Sequence, residues 1–87
     1  MRVEWMEDGL DQLADIVVSL GLDDQDAVER AVLKINAELA RDPWELGESR
    51  ATLARRTWFV PPLVVNYQIV PVDEVVVVQH VALLRPK

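Results

Sequence analysis

The sequence has no cysteine, a single histidine, three glycines, one tyrosine and one phenylalanine in 87 residues. Without cysteine there are no disulfides and no thiolate metal sites, which makes the cytoplasm the expected home. One histidine excludes a multi-histidine metal cluster within one chain. The few glycines spell no phosphate-binding loop, and Ser19 and Ser49 lie in no nucleophile motif, so no cofactor is expected. Long apolar runs are also missing. Between residues 60 and 84 they are interrupted by Asn66, Gln68, Asp73, Glu74, Gln79 and prolines, so no membrane span is expected. Glu4, Glu7 and Asp8 precede any apolar run, which argues against a signal peptide. With 51% hydrophobic residues, the chain reads as one compact domain over 1–87, near the lower end of sizes that stand without staples.

What is present changes character at Pro43. Through Glu48 there are thirteen acids and four bases; beyond it there are two acids and five bases, for a net charge of −6. The apolar residues recur with a helical period in the first part and a strand period in the second. Met1 to Trp5 alternates as a short strand. From about Asp8 to Leu20, Leu10, Leu13, Ala14, Val17 and Leu20 fall on one side of a helical wheel, with Asp11, Gln12, Asp15 and Ser19 opposite. A second helix begins near Asp24 to Asp26, where Asp26 and Glu29 have capping-box spacing, and its core stripe is Val28, Ala31, Val32, Ile35 and Leu39. It ends at Arg41, Asp42 and Pro43. The short connection predicts an antiparallel helix hairpin.

After a loop from Pro43 to Ser49, strands are expected from Arg50 to Val60, Leu63 to Val70 and Val75 to Leu84, with turns at Pro61-Pro62 and Pro71 to Glu74. Leu63, Val65, Tyr67 and Ile69 share one face of the middle strand, with Asn66 and Gln68 on the other. The last strand is apolar on both faces: Val75, Val77, Val81 and Leu83 on one, Val76, Val78, Ala82 and Leu84 on the other. Helices cover one side of a sheet. The second side therefore meets a partner or another copy, or is shielded by neighbouring side chains. The fold class is α+β: an N-terminal strand, an antiparallel helix hairpin, then a three-stranded antiparallel meander.

This order, together with the run Leu63 to Ile69, the turn and Val75 to Val78, resembles the RelE/ParE toxins of type II toxin-antitoxin systems, which include plasmid-stabilisation proteins. The resemblance spans nearly the whole chain and includes Trp5, the segment Gly9 to Ile16 and the loop Asp42 to Gly47. It implies an antitoxin partner and a toxic action on either translation, through mRNA cleavage at the ribosome, or DNA gyrase. It further implies basic residues on the strand after the loop, for which Arg55 and Arg56 stand, and another near the end of the last strand, for which Arg85 stands. Some members use a histidine in that strand, where this chain has His80. An arginine expected two residues into the next strand is replaced by Val64, and a tyrosine often found beyond the last strand has no counterpart.

Cleavage of this kind needs a base for the 2′-hydroxyl, an acid for the leaving oxygen and cations around the phosphate. The candidate catalytic residues are Arg55, Arg56, His80 and Arg85, with Glu48 available as a base. Each also has a plain structural reading. A lone histidine between Val78 and Ala82 is usually a packed, hydrogen-bonded residue, and the arginines, with Arg50 and Lys87, are solvated strand ends. Asp23, Asp24 and Asp26 suit the start of a helix better than a cation site, and no metal site is expected. Trp44 and Trp58 complete a small core or stack on bases. Arg30, Lys34 and Arg41 form a ridge that pairs with neighbouring acids. The acidic balance opposes binding among phosphates unless basic groups are concentrated locally. Three functions are consistent with the residues: a toxin neutralised by an antitoxin, a degenerate binding module of the same fold, and a homo-oligomeric structural protein. An antitoxin docking on the acidic helices would bring lysine or arginine.

Overall fold

A computed structural model describes residues 1–50 and 52–84 of the chain. The elements run β1 (Arg2–Trp5), α1 (Glu7–Val18), α2 (Leu22–Arg41), β2 (Glu48–Arg50), β3 (Thr52–Val60), β4 (Leu63–Val70) and β5 (Val75–Leu83), with 3-10 turns at Pro43–Glu45 and Pro71–Asp73. The strands form one sheet in the order β1-β5-β4-β3-β2. β1 lies parallel to β5 and the other pairs are antiparallel. The expected order of elements holds, with one strand added. The segment expected as loop to Ser49 enters the sheet at Glu48, and the strand expected from Arg50 is divided into β2 and β3.

Of the two helices, α2 supplies the larger share of the core. Val28, Ala31, Ile35 and Leu39 are buried against Leu63, Val65, Tyr67 and Ile69 of β4 and Val76, Val78 and Val81 of β5. The spacing of that stripe puts all four residues on one face. Trp5 closes the junction from β1, donating its indole N–H to Asn36 Oδ1 at 2.8 Å. The capping box expected at Asp26 and Glu29 does not form: α2 starts earlier, at Leu22, with Gly21 before it and no side-chain cap. The polar anchoring comes from Gln25, whose amide donates to Val17 O and Leu20 O at 3.0 Å each. Val17 O also accepts the Leu20 N–H at 3.2 Å, and through these carbonyls Gln25 ties the hairpin together.

Helix α1 turns only part of its expected apolar face inward: Leu13, Val17 and Leu20 pack against the core. Leu10 and Ala14 are exposed, whereas Gly9 is buried and Gln12, Leu13, Ile16 and Val17 are half-buried. The reason is position: α1 runs beside β5 where β1 stops. The Met6 N–H donates to Val78 O at 2.9 Å, continuing the edge contact begun by β1. A Cβ at Gly9 would stand 3.3 Å from Val78 O and 3.4 Å from Gln79 O, so glycine permits this approach. The polar edge of β5 thus turns α1 slightly away from the orientation that its apolar residues alone would give.

The double apolar character of β5 has a similar local cause. Its pairing with β4 shifts between Asn66 opposite His80 and Tyr67 opposite Val78, leaving Gln79 as an extra residue. This bulge reverses the alternation of faces. Val76, Val78, Val81 and Leu83 all turn toward the helices, a set that strict alternation splits in two. The other face carries Val77, His80, Ala82 and Leu84, with Ala82 and Leu84 exposed. The strand is therefore not buried on both sides.

Ile35 is fully buried and Leu33, on the same helix, is 63% exposed. In chemical denaturation, Ile35→Ala should remove about 3 kcal/mol of stability, while Leu33→Ala should stay within about 0.5 kcal/mol of the parent.

Candidate functional site

Residues paired in register share a face, so the uncovered side of the sheet can be read row by row. One row crosses four strands: Glu48 on β2, Thr57 on β3, Asn66 on β4 and His80 on β5. Inside it Thr57 Oγ1 donates to Asn66 Oδ1 at 2.7 Å. On one side of this row lie Arg55 and Gln68, with Gln79 donating to Gln68 Oε1 at 3.0 Å. On the other side lie Phe59, Val64 and Ala82. The row is thus the border between a donor-rich half and an apolar half, in which Phe59 is 53% exposed. A hollow of about 310 Å³ on the polar half is lined by Arg55, Arg56, Thr57, Asn66, Tyr67, Gln79 and His80.

The bulge places Gln79 and His80 together in that lining. His80 is held from behind by α1: Gln12 Nε2 lies 3.2 Å from His80 Nδ1, and Gln12 Oε1 accepts the Val81 N–H at 2.8 Å. Gln12 was expected on the polar side of α1, and only its contact with the edge of β5 reveals this part. Nothing in the helical pattern signals it.

Arg56 belongs to the same hollow but is occupied. It stands opposite Tyr67 on the alternation facing the helices, and its Nε and a terminal nitrogen donate to Leu46 O at 2.6 Å and Gly47 O at 3.2 Å. The Tyr67 hydroxyl lies 2.8 Å from both Pro43 O and Leu46 O and shares its one proton between them. Gly47 completes the clasp, with φ of +66° and its position for a Cβ only 2.6 Å from Thr57 O. Any side chain there meets backbone. The loop Asp42 to Gly47 is therefore fastened beneath β3, which sets where β2 and Glu48 begin.

Of the four basic or titratable candidates, the fold brings Arg55, Arg56 and His80 to one hollow, and Arg85 lies outside the described residues. Val64 sits in the apolar half. Trp58 packs on the core, whereas Trp44 is exposed. In the α2 ridge, Arg41 pairs with Glu38 of its own helix, and Arg30 and Lys34 line a hollow beside Val60 and Pro61. A further groove of about 340 Å³ runs between the helices, lined by Leu13, Val17, Val28, Val32 and Leu33 with Gln25 and Glu29. No helix among the described residues is long and apolar enough to cross a membrane.

This geometry has known counterparts. The chain superposes on a chain of a chromosomal ParDE toxin-antitoxin system from P. aeruginosa with a TM-score of 0.75 at 12% identity, covering 98% of this chain and 97% of that one. For the isolated E. coli RelE toxin the TM-score is 0.68 at 16% identity, over 99% and 86% of the two chains. For the intact E. coli RelBE toxin-antitoxin complex it is 0.65 at 16% identity, over 98% of each chain. No protein-family model and no curated relative matches the sequence. The fold is that of the RelE/ParE toxins, as the order of elements implies.

Burial raises the Tyr67 hydroxyl above its ordinary value of 10.0, with the Arg56 charge pulling the other way. The buried neutral phenol therefore stabilises the fold fully below about pH 10, and this contribution fades as the pH climbs through the higher folded value. Tyr67→Phe should lower stability at neutral pH by about 1 kcal/mol, and the gap between parent and variant, followed by urea titration, should narrow above pH 10.

Proposed function

We propose that this chain is the toxin of a toxin-antitoxin pair and that it acts through the uncovered face of its sheet on an RNA backbone. The observation that carries the reading is the row Glu48, Thr57, Asn66 and His80, lying across the open side of a toxin fold. Glu48 and His80 are three strand spacings apart, about 14 Å between backbones, so their side chains can flank a phosphodiester laid over Thr57 and Asn66. Glu48 is then the base that activates the 2′-hydroxyl, His80 an N–H donor on the opposite side, and Arg55 the cation beside the phosphate. The hollow itself is rich in hydrogen-bond donors, which suits a negatively charged backbone despite the acidic chain as a whole.

Val64 favours a second reading. It occupies the place where the resemblance expects an arginine, and it stands between Phe59 and Ala82 in an apolar patch. A binding module that keeps the toxin fold without its chemistry, or a toxin directed at gyrase, would carry such a surface.

Expression of the chain alone in bacteria should arrest growth, and the product of the adjacent gene should relieve the arrest. In a cell-free translation extract the protein should fragment mRNA, with Glu48→Gln and His80→Ala each slowing cleavage about a hundredfold. Inhibition of supercoiling with intact mRNA would move the target to gyrase, and harmless overexpression would reject the toxin.

The groove between α1 and α2 is the proposed seat for the antitoxin. Its floor is apolar, and Glu29 in its wall belongs to a helical half dominated by acids. An amphipathic segment bearing lysine or arginine complements it. Leu33→Arg should weaken the complex at least tenfold in a titration calorimeter while leaving the thermal midpoint of the free protein unchanged, since Leu33 is exposed.

A further inference from the structure

We propose that Gln12 locks His80 into a single neutral tautomer, with its proton on Nε2, so that His80 offers the open face a hydrogen-bond donor and not a base. The inference follows from satisfying one backbone amide. The Val81 N–H belongs to the edge of β5 beyond the last residue of β1, which pairs with Val78. Among the described residues no strand pairs with Val81 on that side, and Gln12 Oε1 accepts its proton at 2.8 Å. A backbone N–H can only donate, so the amide oxygen of Gln12 is the atom facing it.

The orientation of the amide is thereby settled, and the atom 3.2 Å from His80 Nδ1 is the nitrogen. An amide nitrogen also only donates, so Nδ1 must accept with its lone pair. In a neutral imidazole the proton then resides on Nε2. The opposite tautomer would set two N–H groups against each other. Rotating the Gln12 amide would relieve that clash only by taking the acceptor away from Val81.

Each partner in this chain has a reason to be where it is. Gly9 lets α1 approach β5 closely, which brings Gln12, less than one turn later, within reach of the strand edge. The bulge at Gln79 turns His80 to the open side while its neighbour Val81 returns to the core. His80 also lines the hollow that holds Arg55, Thr57 and Asn66. Gln12 itself is absent from that lining, so it acts as a positioning residue. If the open face handles a phosphodiester, as proposed above, His80 steadies negative charge on an oxygen through Nε2–H, and proton abstraction falls to another group. That role rests on the toxin reading; the tautomer does not.

The chain contains one histidine, so nitrogen-15 correlation spectra of the imidazole ring read the site without ambiguity. In the wild type, at a pH where the ring is neutral, Nδ1 should resonate as a bare nitrogen and Nε2 as a protonated one, with the preference for this tautomer at least about fivefold greater than in an unconstrained histidine side chain. In Gln12→Glu, one carboxylate oxygen still accepts the Val81 N–H and the other faces the ring as an acceptor. The two ring signals should therefore trade places. In Gln12→Met, which removes both partners, they should drift toward the values of an unconstrained histidine side chain. Averaged signals or an Nδ1-protonated ring in the wild type would overturn the proposal, as would signals that stay put in the glutamate and methionine variants. The wild-type spectrum decides even if a variant fails to fold, and none of these readings depends on toxicity.

Discussion

The seating of β5 between β1 and β4 is the constraint from which the other features follow. β5 must pair in parallel on one edge and antiparallel on the other, cover the helices with one face and supply the site with the other. A strand with regular alternation could not divide its valines in this way. The extra residue at Gln79 solves the conflict by switching faces in mid-strand, at the point where β1 gives out and α1 takes over the edge. Packing and site are consequently two outcomes of one irregularity. The same residue that lets Val78 and Val81 both enter the core sends His80 outward.

A second fastening acts at the far side of the sheet. Arg56 and Tyr67 gather the carbonyls of Pro43, Leu46 and Gly47, turning the most irregular stretch of the chain into a fixed bracket for β2. Placing a half-buried guanidinium and a buried phenol under a loop is favourable because backbone oxygens there receive their protons. Glu48 and His80 are thus held by separate anchors, one at each end of the same row. The geometry between them is set by β3 and β4, the most regular strands in the molecule.

Much of the fold was legible in the residues. The α2 stripe, the alternation of Leu63, Val65, Tyr67 and Ile69, and the proline turns each reflect a single dominant period, and all appear where the pattern puts them. What was not legible depended on irregular or distant events. The exposure of Leu10 and Ala14 reflects the approach of α1 to carbonyls of β5 far along the chain, which no helical wheel registers. The start of α2 lacks a side-chain cap because Gly21 stands at that position, and Gln25 bonds the end of the preceding helix, a task with no spacing signature. β2 is three residues long and pinned by the loop clasp, too short to show a period. His80 was visible as chemistry and Gln12 was not, since glutamine on a polar helical face looks like ordinary surface until the bulge beside it is known.

The first strand of the chain finds its partner only in the last one, with both helices and the rest of the sheet emerging between them. Such a pairing has the greatest sequence separation in the molecule, and contacts of this kind form late. Until residues 75–83 join the sheet, the helix hairpin and the other strands lack the strand that carries the imidazole. An intermediate without its closing strand has no row to present.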